Sequence, residues 1–196
     1  MPNAPTEQLV SETVPQVPAD LPAASAVQSS DAPGGESIYL VPKTKSGHWA
    51  GLVGSPKPID QILGKFASDL QDVSVVVTNL TGVPSGISAI PGNDKVSDYF
   101  DVAISNVGDG DVIGAHTTFY MDKSWVTVNE IHKWSVELKR FDDQLEVWVP
   151  FSSKRLRETA DRIYYSAVLP GFSTIAVTGN TNLSDKKFEV SELKIR

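Results

Sequence analysis

The clearest alternation of apolar and polar residues lies between 119 and 179. Trp134 to Phe141 reads WSVELKRF, and this two-residue period is typical of a strand with one buried face. The turn formers Asp142 to Gln144 interrupt it, and the alternation resumes over Leu145 to Val149, which predicts a β-hairpin. Because proline has no N–H to donate to a neighbouring strand, we expect the second strand to end at Pro150.

The same period assigns the two faces of the first hairpin strand. Val136 and Leu138 share one face with Arg140, so the apolar pair is expected to point at an opposing sheet. Lys139 then lies on the surface. In the second strand, Trp148 points away from its two valine neighbours, and we expect it to be exposed if they are buried.

Further strands are predicted wherever β-branched and aromatic residues cluster between turn formers, at 37–41, 73–78, 99–105, 112–120, 162–168, 172–178 and 186–195. Residues 59–70 fit helical spacing, but Gly64 argues against a helix and we favour a strand near 61–66. One helical turn is expected within 122–132 and a loop over 43–58. The charged stretch 153–161 is expected to be a solvated connection or a short exposed turn of helix. Short connections between so many strands indicate an all-β fold, an antiparallel sandwich of the immunoglobulin-like or Greek-key type.

The Pro170-Gly171 pair is expected to form a type II turn, in which the glycine takes a positive φ.

Residues 1–36 differ from the rest of the chain. They hold six of the thirteen prolines, no aromatic residue and no Lys or Arg, and their five carboxylates give them a charge of −5. Such a segment buries too little apolar surface to offset the entropy of ordering it. We therefore expect a disordered acidic tether over 1–36 and a β-sandwich domain over 37–196.

Composition narrows the function classes. The net charge is −7, no run of Lys or Arg occurs, and nucleic acid is therefore not an expected partner. The chain has no cysteine, which excludes disulfides and thiol chemistry. No apolar run of 18 residues predicts a membrane span, and no signal peptide is expected in what we interpret as a mature or excised part of a protein.

Four motifs occur in order along the chain: Lys123-Ser124-Trp125, then Val136 to Phe141 (VELKRF), then Trp148, and then Pro170 to Ser173 (PGFS) followed by an aliphatic strand. This set resembles the PGF-pre-PGF domain of archaeal cell-surface proteins, with a match over about 59–179. The step after the tryptophan departs from the family pattern, since Val149-Pro150-Phe151 stands where a Leu-Pro-Thr-like sequence is usual. The resemblance implies an extracellular archaeal setting, brings no catalytic residue, and implies other surface proteins or neighbouring domains as partners.

Candidate chemistry is sparse. His48, His116 and His132 lack the short spacings of zinc ligands, so no catalytic residue, metal or cofactor is predicted. The loop NVGDGD places Asn106, Asp109 and Asp111 within six residues, a set that suits either a calcium ion or an ordinary hairpin turn.

Two surface features remain as candidate sites. Trp49 and Trp148 are candidates for an exposed aromatic surface that binds glycans, although tryptophan on strands more often packs in a core. Asn79-Leu-Thr81 and Asn182-Leu-Ser184 are sequons, so Asn79 and Asn182 are candidate glycosylation sites in an exported chain. The expected function is a non-catalytic structural or adhesive module at the cell surface, with a carbohydrate-binding module as the alternative and an enzyme least favoured.

Overall fold

Antiparallel strands make up almost all of the regular structure. The computed structural model describes residues 35–54 and 57–182, together with the backbone of 25–27. Numbered in chain order, the strands are β1 (Ser25–Val27), β2 (Glu36–Lys43), β3 (Trp49–Gly54), β4 (Ile59–Phe66), β5 (Gln71–Leu80), β6 (Lys95–Ser105), β7 (Val112–Asp122), β8 (Glu137–Asp142), β9 (Val147–Ser152), β10 (Lys154–Glu158), β11 (Arg162–Leu169) and β12 (Thr174–Gly179). One short helix, α1, covers Lys123–Val128.

The strands form a seven-stranded sheet in the order β1-β2-β5-β6-β12-β8-β9 and a five-stranded sheet in the order β10-β11-β7-β4-β3. Every pairing is antiparallel. The all-β antiparallel sandwich expected from the sequence is therefore confirmed. The predicted strand at 186–195 lies outside the described residues, as does most of the acidic segment 1–36.

The hydrophobic core lies between the sheets. Its fully buried large side chains include Leu52, Phe66, Phe100, Phe119 and Leu138. Val136 and Leu138 point inward, as the alternation predicted, and are 3% and 0% exposed.

Two strands lie where no strand was expected. β3 falls within the expected loop 43–58, and its small residues and glycines carry little strand signal. β10, with the sequence KRLRE, falls within the expected connection 153–161 and occupies an edge of the five-stranded sheet. Charged residues are what natural edge strands use to prevent further pairing, so this strand resembles a solvated loop in sequence.

The segment at 59–70 is a strand over Ile59–Phe66, as favoured. Its burial pattern shows why the sequence also fitted helical spacing: Ile62, Leu63 and Gly64 are buried in succession and do not alternate as in a regular strand. The pairing of β4 with β7 shifts register between Ile59 and Gln61 and again between Lys65 and Phe66, and such bulges break a strict two-residue period.

The assignment of Trp148 to the surface is wrong. The outer face of the seven-stranded sheet carries a second apolar cluster of Phe141, Trp148 and Ala176, against which residues of the 81–99 segment pack. Trp148 is 7% exposed, and its Nε1 donates a hydrogen bond of 2.7 Å to the Ser88 carbonyl. Both faces of this sheet are covered here, so alternation alone could not tell buried from exposed. β9 also continues through Pro150, which an edge strand tolerates.

The placement of Lys139 on the surface is wrong for the same reason. Lys139 is 8% exposed and forms ion pairs with Asp94 and with Glu137, at 3.6 Å from the latter. Asn180 Nδ2 donates to Asp94 Oδ1 at 3.0 Å. A small ionic cluster therefore covers the outer face of β8 beside the Trp148 cluster.

Gly171 does not take the positive φ that a type II turn requires, and a Cβ added there would meet no heavy atom within 4 Å. That prediction is wrong. Asn106, by contrast, has a φ of 62°, in the left-handed region that asparagine tolerates.

The expected helical turn within 122–132 is confirmed as α1. Among the described residues, no helix is long and apolar enough to cross a membrane.

Candidate binding site

A cavity of about 160 Å³ opens beside the start of α1. Four segments meet there: the residues just before β4, the first half of β6, the end of β7 and the helix itself. Aromatic, anionic and cationic side chains line it, namely Lys57, Ser97, Asp98, Tyr120, Asp122 and Trp125, together with Pro58. The cavity thus combines an apolar surface with several hydrogen-bonding groups, the usual composition of a small-molecule site.

Backbone hydrogen bonds fix the segments around the cavity. Tyr120 donates its N–H to the Pro58 carbonyl at 2.9 Å, which holds the chain before β4 against β7. Lys123 donates its N–H to the Asp161 carbonyl at 2.8 Å, which ties the first residue of α1 to the turn before β11. The cavity walls therefore belong to the sandwich framework.

Asp122 occupies the N-cap position of α1, yet its side chain makes no capping hydrogen bond. An aspartate in this position usually caps its helix. Here its Oδ1 lies 3.6 Å from Arg162 Nε, and its side chain remains 52% exposed. The carboxylate of Asp122 therefore pairs with Arg162 at the rim of the cavity and does not cap α1.

Tyr120 is buried and Asp98 is half-buried. Burial is the main cause that raises the pKa of Tyr120, and the charges of Arg162, Asp122, Tyr164 and Asp98 act on it as smaller causes. Its hydroxyl is therefore protonated at neutral pH and both donates and accepts. Ser97 donates its Oγ–H to Asp98 Oδ2.

A row of stacked cations and rings runs from the cavity across the outer face of the five-stranded sheet. The Arg162 guanidinium lies 4.0 Å from the centre of the Tyr120 ring, and the Arg157 guanidinium lies 3.6 Å from that of Tyr164. The two tyrosine rings are 5.7 Å apart on paired strands. Such cation–π contacts stabilise the face by roughly 0.5–1 kcal/mol each at exposed sites.

Glu158 gathers three cations at the edge of the same sheet. Its carboxylate lies 3.1 Å from Lys123 Nζ, 3.1 Å from Lys133 Nζ and 2.7 Å from Arg155 Nη1. Hydrogen bonds from Lys133 and then Lys123 are the largest causes that hold the pKa of Glu158 below its ordinary value. Arg155 also lies 4.4 Å above the exposed ring of Trp134. These charges tie α1, the loop after it and β10 together.

The two tryptophans of the proposed aromatic surface are not brought together. Trp148 is buried on the outer face of the seven-stranded sheet, whereas Trp49 is in the five-stranded sheet and is 37% exposed. Trp49 meets His116 edge-on, with ring centres 6.5 Å apart, and burial lowers the pKa of that histidine. An aromatic surface shared by Trp49 and Trp148 is therefore wrong, while Trp49 alone remains accessible.

In the candidate cation loop, the Asp111 carboxylate accepts two hydrogen bonds that hold the turn. Its Oδ2 accepts from Gly108 N–H at 2.7 Å and its Oδ1 accepts from Ser68 Oγ at 2.6 Å. Asn106 donates its side-chain amide to the Asp72 carbonyl at 2.7 Å. Among the described residues, no three or more His, Cys, Asp or Glu side chains are grouped as metal ligands require. The hydrogen bonds of Asp111 and Asn106 are those of a braced turn, and a cation held by Asn106, Asp109 and Asp111 stays a prediction.

The two sequons differ in accessibility. Asn79 lies in β5 and is half-buried, and its Oδ1 is buried without a hydrogen-bond partner. Asn182 is exposed, and its N–H donates to Asn180 Oδ1 at 3.0 Å. Modification of either stays a prediction, and Asn182 is the residue that an enzyme can reach without moving the sheet.

The cavity could not be predicted from the sequence, because its residues come from four segments and form no spaced motif. The structure shows two features that the sequence does not. The Asp122 side chain does not cap α1, and β6 begins at Lys95, so that Ser97 and Asp98 lie on a strand that was expected to begin at Tyr99.

Comparison with known proteins adds no relative: no family model matches the chain, and no curated protein is significantly similar to it.

Proposed function

We propose that this chain is a non-catalytic structural or adhesive module of an archaeal cell-surface protein, exposed outside the cell and joined to neighbouring domains or other surface proteins. The observation that carries the proposal is where the four resemblance motifs lie. Trp125 of the first motif packs against the core from α1, Leu138 of the second is in the core, and Trp148 of the third fixes a loop to the larger sheet.

The fourth motif joins this set. Ser173 donates its Oγ–H to the Phe141 carbonyl at 3.0 Å, and Phe172 packs partly buried against the core. Each of the four motifs therefore contributes a residue that packs in the sandwich or fixes one of its loops. A sequence signature made of packing residues is what a scaffold module has, whereas an enzyme signature contains reacting groups.

The test is co-sedimentation of the purified full-length chain with washed archaeal envelope fragments. We expect saturable binding, and we expect no turnover of chromogenic glycoside, ester or peptide substrates. A matched control is an unrelated acidic β-sandwich of similar size, which should stay in the supernatant. Absence of saturable binding, or turnover that survives repurification, would refute the proposal.

A carbohydrate-binding module is the second candidate, favoured by the cavity beside α1. Its aromatic residues, carboxylates and lysine are the groups that hold sugars in proteins, and they lie in a framework fixed by backbone hydrogen bonds. The two candidates are compatible, since recognition of glycans is one way in which a surface module can adhere.

A further inference from the structure

The charges around the cavity beside α1 balance. Two carboxylates line it, those of Asp98 and Asp122, and one cation lines it, Lys57. Arg162 adds a second cation, with its Nε 3.6 Å from Asp122 Oδ1. A ligand of either charge gains little net Coulomb energy in such a site, whereas a neutral ligand with several donors and acceptors can use every group.

The size of the cavity limits its occupant. Its volume of about 160 Å³ is roughly half the lower bound of about 300 Å³ for sites that enclose drug-sized ligands. One six-membered ring with its substituents is the scale of molecule that fits. The remainder of a longer chain would have to extend into solvent.

The lining matches a hydroxyl-rich ring. The carboxylates of Asp98 and Asp122 accept hydrogen bonds from hydroxyl groups, Lys57 donates to them, and the Tyr120 hydroxyl does either. Trp125 supplies aromatic surface for the apolar face of a ring, whereas the Tyr120 ring is covered by Arg162 and contributes through its hydroxyl. Because the Asp122 side chain does not cap α1, accepting from a ligand would cost the helix no hydrogen bond.

We infer that this cavity is a subsite for one neutral pyranose residue of a glycan. The inference rests on the proposed function, since it names the ligand through which a surface module of this kind would adhere. Asp98, Asp122 and the Tyr120 hydroxyl bind the ring hydroxyls, and Trp125 contacts its carbon face.

The test is titration of the full-length chain with the methyl pyranosides of glucose, galactose and mannose, followed by the NMR resonances of the Trp125 indole and the Tyr120 ring. Charged relatives of the same size, glucuronate and glucosamine, are titrated in parallel. We expect at least one neutral pyranoside to bind with a Kd on the order of 1 mM, as suits a single small ring. We expect the charged probes to bind more weakly.

Asp98→Asn and Asp122→Asn keep the shape of the site and remove an anionic acceptor. Because hydrogen bonds to charged groups are the stronger ones, each should weaken pyranoside binding by about tenfold or more. Trp49→Ala is the matched control, since it removes an exposed ring that does not line the cavity, and it should change the Kd by less than about twofold. The backbone NMR spectrum of each variant shows whether the fold is kept.

Three results would overturn the inference: no binding of any neutral pyranoside, tighter binding of a charged probe, or loss of binding in Trp49→Ala but not in Asp98→Asn. Saturable envelope binding alongside a failed pyranoside titration would remove this inference and leave the proposed function standing. Failure of both would remove both.

Discussion

Replacement of Trp148 by alanine tests whether the loop over the larger sheet contributes to stability. The residue was expected on the surface but is 93% covered, since its exposed fraction is 7%. It contacts Phe141 with ring centres 5.4 Å apart and Tyr99 at 6.0 Å. Through its Nε1 it also holds the Ser88 carbonyl of the covering loop.

The magnitude follows from these contacts. A buried tryptophan removes roughly 150–250 Å² from water, and at about 25 cal/mol per Å² this is worth about 4–6 kcal/mol. The covering loop is on the sheet exterior and can relax into part of the space, so we expect Trp148→Ala to lower the free energy of unfolding by about 3–5 kcal/mol. Trp148→Phe keeps most of the ring and loses the bond to Ser88, which should cost about 1–2 kcal/mol.

Urea denaturation measures these values, and Trp134→Ala is the matched control. Trp134 is 63% exposed, and its main contact is the Arg155 guanidinium above its ring. Its replacement should cost about 0.5–1 kcal/mol. Equal losses for the two tryptophans, or a loss below about 1 kcal/mol for Trp148→Ala, would show that the second apolar cluster does not hold the loop.

Three further predictions concern single positions. Lys139→Met should cost about 1–3 kcal/mol by urea denaturation, because it removes the cation that pairs with the largely covered carboxylate of Asp94. A cost under about 0.5 kcal/mol would place the lysine on the surface after all. Hydrogen bonds from Ser68 and then Gly108 lower the folded pKa of Asp111, so its carboxylate should stabilise the fold above its unfolded pKa and lose that contribution as pH falls. The difference in unfolding free energy between wild type and Asp111→Asn should therefore shrink in acid, and a difference independent of pH would contradict this. Gly179→Ala should cost about 1–3 kcal/mol, since its Cβ would lie 2.5 Å from Ile131 Cγ2, whereas the Cβ of Gly171→Ala meets no atom within 4 Å and should be tolerated. Similar melting temperatures for the two variants would contradict this.

The fold class was predictable from the sequence because some strands have one buried face and one solvent-exposed face. The core position of Leu138 follows from that alternation, and so does the hairpin that contains it. The prediction failed for Lys139 and Trp148 because a loop covers the outer face of the sheet, and a two-residue period carries no information about a second layer. The edge strand β10 was missed because its charged sequence reflects protection against pairing.

The candidate site could not be predicted from the sequence, for a different reason. Asp98 and Asp122 are 24 positions apart in the chain and become neighbours of one cavity only when β6 and β7 belong to opposing sheets. No local pattern encodes such a meeting. The helix start at Asp122 was predictable, but the absence of a capping hydrogen bond from its carboxylate was not.

The position of β12 has a consequence for the order of assembly. Among the described strands of the larger sheet, β12 lies between β6 and β8 and is the one that links β1-β2-β5-β6 on one side to β8-β9 on the other. It is also the last strand of the described chain to leave the ribosome. Until it arrives, β6 and β8 each present an unpaired edge, which is the geometry that invites pairing with another molecule. A nascent chain stalled before Thr174 would therefore be the aggregation-prone form of this protein, and a synthetic peptide spanning Thr174–Gly179 would be expected to enter that gap.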